Sequence, residues 1–337
     1  TAAKEYEEAL EIYRNLAENN PQTYLPYVAI ALNNLAVLHN NQNEYETAAK
    51  EYREALEIRR NLAKDNPQTY LPYVATTLNN LATLHDIQNE YETAAKEYEE
   101  ALEIRRNLAK DNPQAYLPRV AATLNNLAIL HDNQKEYETA AKEYEEALEI
   151  YRNLAVNNPQ AYLPDVAMAL NNLAVLHNNQ KEYETGAKEY EEALEIRRNL
   201  AKDNPQAYLP DVALTLNNLA VLHNNQNESE KATKEYEEAL AIYRNLYEEM
   251  PNVYAPDLAM TLINLATFYQ KALPEREKSL AFVMEAIALL RPILEAVPFT
   301  QKYMKSALTV LRRWSLSDEE IERLIAEKMM ETGENQA

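Results

Sequence analysis

Five histidines are the side chains in this sequence most able to do chemistry, because imidazole can transfer protons near neutral pH or bind a metal ion. They follow one another at intervals of 46 residues: His39, His85, His131, His177 and His223. Zinc ligands must lie within about 2 Å of one ion. Equivalent positions of stacked repeats instead lie about 10 Å apart, the distance between packed helices. The spacing therefore favours a structural role, and we expect no catalytic residue, metal site or cofactor.

The composition excludes several classes of function. The chain has 54 acidic residues and a net charge of −21, which disfavours nucleic acid and anionic membranes as partners. Its acidity can keep a long chain soluble or recruit a basic partner. The absence of cysteine excludes disulfides and thiolate metal sites, and it allows a reducing compartment. No apolar run approaches the length of a membrane span. We expect a cytoplasmic protein that is not an enzyme.

The elements that carry the histidines are internal repeats. The segment L-N-N-L-A begins at Leu32 and returns every 46 residues, and the sixth copy at Leu262 reads L-I-N-L-A. The copies are close, since residues 47–92 and 93–138 differ at seven of 46 positions. A fixed period of this size indicates an array in which each repeat buries its apolar face against its neighbours.

One repeat predicts two helices. Apolar residues at helical spacing predict a first helix over 72–86, beginning at Pro72, and a second over 90–111. The connection N-P-Q-A-Y-L-P then leads to the next repeat. Asn112 ends the second helix, because a residue before proline is pushed out of the α region.

These residues carry a resemblance to a known family. The pattern Leu78-x2-Leu81-Ala82-x2-His85, followed by Tyr91-x2-Ala94-x3-Tyr98-x2-Ala101, resembles the tetratricopeptide repeat over about residues 1–290. The unit is twelve residues longer than usual. Its prolonged second helix, with L-N-N-L-A in the first, is most similar to the kinesin light chain type. The predicted fold is all-α, an α-solenoid in which antiparallel helix pairs form a right-handed superhelix.

The repeat pattern divides the chain into three predicted regions. Thr1 aligns with Thr47, so residues 1–25 read as the second helix of a truncated repeat. Residues 26–298 form the repeat array, and residues 299–337 read as degenerate capping helices and a tail. Ser317-Asp-Glu-Glu320 is a capping box that opens a last helix near 318–332.

Asparagines of the first helices are the candidate binding residues. In the family that the chain resembles, first helices line a concave face, where asparagines hold the backbone of a ligand. An amide offers two donors and an acceptor, so a row of them suits an extended peptide of any sequence. The predicted stripe contains Thr76, Asn79, Thr83 and Asp86 and has no basic residue, so the family's clamp for acidic tails is absent. The predicted peptide-binding residues are Asn33, Asn34, Asn79, Asn80, Asn125, Asn126, Asn171, Asn172, Asn217, Asn218 and Asn264. Alternatively, these amides bond neighbouring helices and stiffen the array.

The sequence therefore predicts a non-enzymatic scaffold that binds a protein or peptide in a neutral groove. Two alternatives stay open: a structural array that assembles with itself, and the sensor arm of a larger multidomain enzyme. An apolar stripe of the first helix favours association with a second copy. It comprises Ala2, Tyr6, Ala9, Leu10, Tyr13 and Leu16.

Overall fold

The computed structural model describes residues 2–334, and all regular structure in this range is helical. The α-helices are α1 (Ala2–Asn19), α2 (Pro21–Asn41), α3 (Tyr45–Asp65), α4 (Pro67–Ile87), α5 (Tyr91–Asp111), α6 (Pro113–Asn133), α7 (Tyr137–Asn157), α8 (Pro159–Asn179), α9 (Tyr183–Asp203), α10 (Pro205–Asn225), α11 (Ser229–Glu249), α12 (Pro251–Lys271), α13 (Arg276–Leu290), α14 (Gln301–Arg313) and α15 (Asp318–Glu334). Short 3-10 turns cover Arg291–Ile293 and Pro298–Thr300. The chain divides into two compact units, residues 1–169 and 170–337, which are described separately.

The first helices α2, α4, α6, α8 and α10 begin at an Asn-Pro pair, whereas α12 begins at Met250-Pro251. In α4 the Asn66 side chain accepts a hydrogen bond from the backbone N–H of Thr69 at 3.2 Å, and Pro67 is the first helical residue. This cap uses the positions that asparagine and proline favour. The prediction that the helix begins at Pro72 is therefore wrong. Pro72 lies inside α4, and the residues before it form the first turns of the helix instead of a separate connection.

The second helix follows a tight turn. Asn89 has a φ of 62°, and the backbone N–H of Glu90 donates to the carbonyl of His85 at 2.8 Å. Asparagine tolerates this left-handed conformation better than most residues. The turn reverses the chain, so that α4 and α5 pack against each other in opposite directions. The predicted second helix over 90–111 is confirmed as Tyr91–Asp111.

In residues 1–169 the core lies between these helix pairs. Tyr52, Leu78 and Leu81 are nearly fully buried and belong to one cluster, which includes alanines without any exposed surface such as Ala36 and Ala48. Burial of each large apolar side chain contributes about 1.5–3 kcal/mol. The small alanines let the helix backbones approach closely, which is why alanine recurs at these positions.

In residues 170–337 the core continues into the C-terminal helices. The Trp314 indole N–H donates to the Ser279 hydroxyl at 2.9 Å, which connects the end of α14 to α13. The predicted capping box is confirmed. The Ser317 N–H donates to the Glu320 carboxylate at 2.8 Å, and the Glu320 N–H donates to the Ser317 hydroxyl at 3.2 Å.

Candidate functional site

The asparagines of the first helices form two rows with different surroundings. The inner row consists of Asn33, Asn79, Asn125, Asn171 and Asn217. The outer row consists of Asn34, Asn80, Asn126, Asn172, Asn218 and Asn264. Members of the outer row are half-buried, whereas all members of the inner row except Asn79 are buried. Neighbouring positions in the sequence therefore give one polar row inside the array and one on its open side.

Side chains of the neighbouring helices occupy the inner row. The Asn33 carbonyl oxygen accepts from the Arg59 guanidinium at 3.0 Å, and that of Asn79 accepts from Arg105 at 3.1 Å. Asn217, only 1% exposed, donates to the Thr261 hydroxyl at 2.8 Å. The expectation that such positions line an open stripe is wrong for the buried members, because they turn towards the following helices. The peptide-binding role of this row stays a prediction that its burial disfavours.

Sequence reasoning missed buried arginines of the second helices, of which Arg59 and Arg105 bind the inner row. Arg59, Arg105 and Arg197 are each only 5% exposed. Burial lowers the pKa of Arg59 to about 10 and that of Arg105 to about 10, so both stay charged at neutral pH. Each also donates to a threonine hydroxyl and to a backbone carbonyl of the next first helix. The available signal was an arginine on an otherwise apolar helix stripe, at a position where other copies have Tyr151 or Tyr243.

The outer row carries fewer internal contacts. Asn218 donates to the Asn171 carbonyl oxygen at 3.3 Å, so at this place an outer amide does bond a neighbouring helix. Asn34, Asn80, Asn126 and Asn264 make no side-chain hydrogen bond within residues 2–334. Their neighbours on the open side are apolar or small, such as Ile30 and Val37 around Asn34. These amides have donors and acceptors to offer to another molecule.

Each histidine is bonded to a glutamate of the second helix in its own repeat. The pairs are His39–Glu51, His85–Glu97, His131–Glu143, His177–Glu189 and His223–Glu235, with N–O distances of 2.7–2.8 Å. The hydrogen bond that His131 donates to the Glu143 carboxylate raises the pKa of His131, whereas burial raises the pKa of Glu51 and of Glu235. Among the described residues, no group of three His, Asp or Glu side chains could hold a metal ion. The histidines thus connect the two helices of a repeat.

Two cavities of residues 1–169 lie against the first helices. The first measures about 350 Å³, and its lining includes Tyr27 and Tyr73, both nearly half exposed. Arg59, also in the lining, lies 5.6 Å from the centre of the Tyr73 ring. The second measures about 530 Å³ and is mainly polar. Its lining includes Asn80, Arg105, Arg119, Asn126 and Asp165. Two outer-row amides thus share a cavity with two arginines.

Comparison with protein families agrees with this architecture. Residues 27–107 and 165–245 match one family model described as tetratricopeptide repeat, and residues 120–159 match a second with the same description. The matches together cover more than half of the chain. The chain belongs to the tetratricopeptide repeat family. The resemblance found in the repeat pattern is therefore confirmed, as is the all-helical solenoid class of the fold.

Solved structures include similar tetratricopeptide arrays. BtubC (BKLC) from P. vanneervenii is 28% identical, with 72% of this chain and 90% of that chain covered and a TM-score of 0.60. The apo form of RapI is 14% identical over 85% of this chain and 98% of its own, with a TM-score of 0.58, and this likeness concerns the fold alone. No curated protein sequence matches the chain.

Family membership sets the coarse function. Tetratricopeptide repeats are generally non-catalytic scaffolds that bind other proteins, and no catalytic family matches this chain. Within residues 2–334, none of the helices combines the length and apolar character needed to cross a membrane.

Proposed function

We propose that this tetratricopeptide scaffold is not an enzyme and that it binds an extended segment of a partner protein along the open side of its first helices. Asn34, Asn80 and Asn126 hold the segment's backbone in residues 1–169. Asn172, Asn218 and Asn264 do so in residues 170–337. The observation that carries the proposal is the amide that stands half-exposed in every complete first helix. In the same proposal the scaffold acts in the cytoplasm. It binds neither nucleic acid nor anionic membrane, because its net charge of −21 is repelled by their phosphates.

The chemistry of this face suits a backbone more than a particular side chain. The primary amide of Asn80 can donate to a peptide carbonyl and accept from a peptide N–H. Ala122 and Ile129, on either side of Asn126, are exposed and uncharged, so they accept many side chains. Such a surface binds with low sequence selectivity, and each backbone hydrogen bond contributes about 1 kcal/mol.

A random peptide library displayed on phage tests this proposal. Peptides selected on the unmodified chain are measured by fluorescence anisotropy against the triple variant Asn34→Ala, Asn80→Ala, Asn126→Ala. We expect affinity to fall by roughly 2–4 kcal/mol, since three hydrogen bonds are lost. Circular dichroism must show unchanged helix content.

A matched control replaces the same number of asparagines with alanine outside the proposed site. The variant Asn61→Ala, Asn107→Ala, Asn199→Ala removes three exposed asparagines of second helices, whose side chains accept only from the lysine three residues later. It should bind the selected peptides as the unmodified chain does. Equal affinity of the triple variant and the control would remove the outer row from the proposed site.

The exposed face of α1 supports a second proposal, association between two copies. Tyr6, Ile12 and Leu16 are 36%, 57% and 39% exposed, and apolar surface of this kind favours contact with another molecule. Leu10, which belongs to the apolar stripe predicted to contact a second copy, is instead buried against α2, with Val28 and Leu32 in the same cluster. The side chain of Ala2 lies outside the described residues.

Light scattering over a range of concentrations tests this association. The unmodified chain should form dimers as its concentration rises, and Ile12→Glu with Leu16→Glu should stay monomeric. Ile12 and Leu16 are better probes than the buried Leu10, because a charge at an exposed position does not disturb the core. A strictly monomeric unmodified chain at high concentration would refute the proposal.

A further inference from the structure

The polar cavity of residues 1–169 contains two arginines from different helices. Arg105 comes from the second helix α5 and Arg119 from the first helix α6. Asn80, Asn126 and Gln114 add amide groups to the same lining, and Asp165 is its acidic member. Within the described residues neither Arg119 nor Asp165 makes a side-chain hydrogen bond or ion pair. The cavity therefore holds two positive charges that no carboxylate in the described part of the chain neutralises by direct contact.

Arg105 is held in place and is only partly satisfied. Its Nη1 donates to the Asn79 carbonyl oxygen at 3.1 Å, to the backbone carbonyl of Arg119 at 3.2 Å and to the Thr123 hydroxyl. Its Nε is buried and has no partner among residues 2–334. A buried donor without an acceptor is costly, and most buried polar groups avoid this state. Arg105 also lines the cavity, so its positive charge acts on a group bound there.

The equivalent places in other repeats differ. Arg59 lies against the ring of Tyr73, an uncharged neighbour that suits a guanidinium. Arg197 has the opposite charge of Asp211 nearby, which raises its pKa against the effect of burial. Arg105 has the like charge of Arg119 instead, which adds to burial in lowering its pKa. A negatively charged ligand is attracted by two cations at once where Arg105 and Arg119 share the cavity.

We propose that Arg105 and Arg119 form an anion site, in which the cavity lined by residues of α4 to α8 takes a carboxylate or phosphate group carried by the partner segment. Guanidinium groups bind such oxygens through strong, charge-assisted hydrogen bonds. Asn80 and Asn126 belong to both the cavity and the outer row, so the anion lies beside the bound backbone. The assignment to a partner segment rests on the proposed function, whereas the anion site itself does not.

Titration with simple anions tests the site without any partner. Inorganic phosphate and, separately, acetate are added to the unmodified chain at constant ionic strength, and binding is followed by calorimetry and by the melting temperature. We expect one site per chain and a melting temperature that rises with anion concentration, as mass action requires. Binding of both anions indicates a carboxylate or phosphate ligand, binding of phosphate alone indicates a phosphorylated side chain, and binding of neither overturns the proposal.

Substitutions that the array already uses provide matched variants. Arg119→Tyr installs the residue found at Tyr73, and it should weaken anion binding about tenfold or more, as expected for loss of a charged donor. The reciprocal Tyr73→Arg places a second cation beside Arg59 and should raise the stoichiometry from one site to two. Unchanged binding in Arg119→Tyr would mean an adventitious ion only.

The two proposals can fail separately. If phosphate binds to the unmodified chain but the outer-row variant keeps its peptide affinity, the anion site stands and the backbone-binding function falls. If selected peptides need the outer row but no anion binds, the reverse holds. Peptides selected on the unmodified chain should also lose acidic residues when the selection is repeated on Arg119→Tyr.

Discussion

Asn79 and Asn80 are the same residue type one position apart, yet they face different surroundings. Successive positions of a helix point about 100° apart, so two neighbours can serve opposite sides of one element. Asn79 meets Arg105 of the second helix in the same repeat, whereas Asn80 lines a cavity and makes no side-chain hydrogen bond within residues 2–334. The residue type therefore does not decide between structure and binding in this array. The residue that each asparagine faces decides between these two roles.

The largest expected effect is a loss of stability when an asparagine of the inner row is substituted. Asn79→Ala removes one of the acceptors of a buried guanidinium, and we expect the free energy of unfolding to fall by about 1–3 kcal/mol. Asn80→Ala should change it by less than about 0.5 kcal/mol, as substitutions at such positions usually do. Urea unfolding followed by circular dichroism measures both.

The controls for this pair must address cooperativity. Long repeat arrays can unfold in parts, so the slope against urea has to match the unmodified chain before the midpoints are compared. Asn33→Ala, whose partner is Arg59, should reproduce the loss seen with Asn79→Ala. If Asn80→Ala cost as much as Asn79→Ala, the distinction between the rows would be wrong.

The sequence predicted the second helices better than the first. The second helix over 90–111 was found because its apolar stripe, its Asn-Pro end and the preceding polar turn agree. The first helix was placed five residues late because two prolines compete as its start. The Asn66 cap favours Pro67, and α4 tolerates Pro72 in its interior.

The candidate site was only partly readable for a different reason. The outer row follows from helical periodicity, but the inner row's partners lie 26 residues later, as with Asn33 and Arg59. Such pairs depend on how the two helices of one repeat pack against each other, which the period alone does not give. Arg119 was overlooked because it belongs to the position of Tyr27 and Tyr73, outside the stripe that was considered.

A second, smaller effect concerns the histidine–glutamate pairs, which are polar groups inside the repeat as the inner row is. The hydrogen bond that His131 donates to the Glu143 carboxylate raises the pKa of His131, and the negative charges of Glu136 and Glu99 act in the same direction. A raised pKa means that the folded state binds the proton more tightly. Its stabilising contribution is complete below the ordinary histidine pKa and is lost as pH rises through the raised value. We therefore expect a lower melting temperature at pH 8 than at pH 6.

The variant His131→Gln isolates this contribution. Glutamine can still donate to Glu143 but does not titrate, so the difference between the two pH values should become smaller. Burial raises the pKa of Glu51 and Glu235, which favours the protonated form of those pairs in the folded state as well. A melting temperature that rises from pH 6 to pH 8 would show that the pairs do not hold protons in this way.

The smallest effect is expected on the outside of the array, where charges pair between consecutive second helices. Arg60 donates to Glu100 at 2.6 Å, and equivalent pairs join Arg14 to Glu54 and Arg106 to Glu146. The spacing is 40 residues, and in Arg244–Glu285 it becomes 41. Contacts that recur in this way set the register of the helices, but the side chains of Arg60 and Glu100 are 48% and 44% exposed.

Water and salt screen a pair of this kind, so its net contribution is about 0.2–1 kcal/mol. A double-mutant cycle of Arg60→Ala and Glu100→Ala should give a coupling energy in that range at low salt and close to zero at high salt. Asn79→Ala should lose as much stability at high salt as at low salt, because its hydrogen bond is shielded from solvent. The comparison would fail if the outer pair coupled as strongly as the inner one and its coupling resisted salt. Solvent exposure would then not distinguish interactions on the outside of the array from those in its interior, and the residue that each asparagine faces would no longer explain the difference between Asn79 and Asn80.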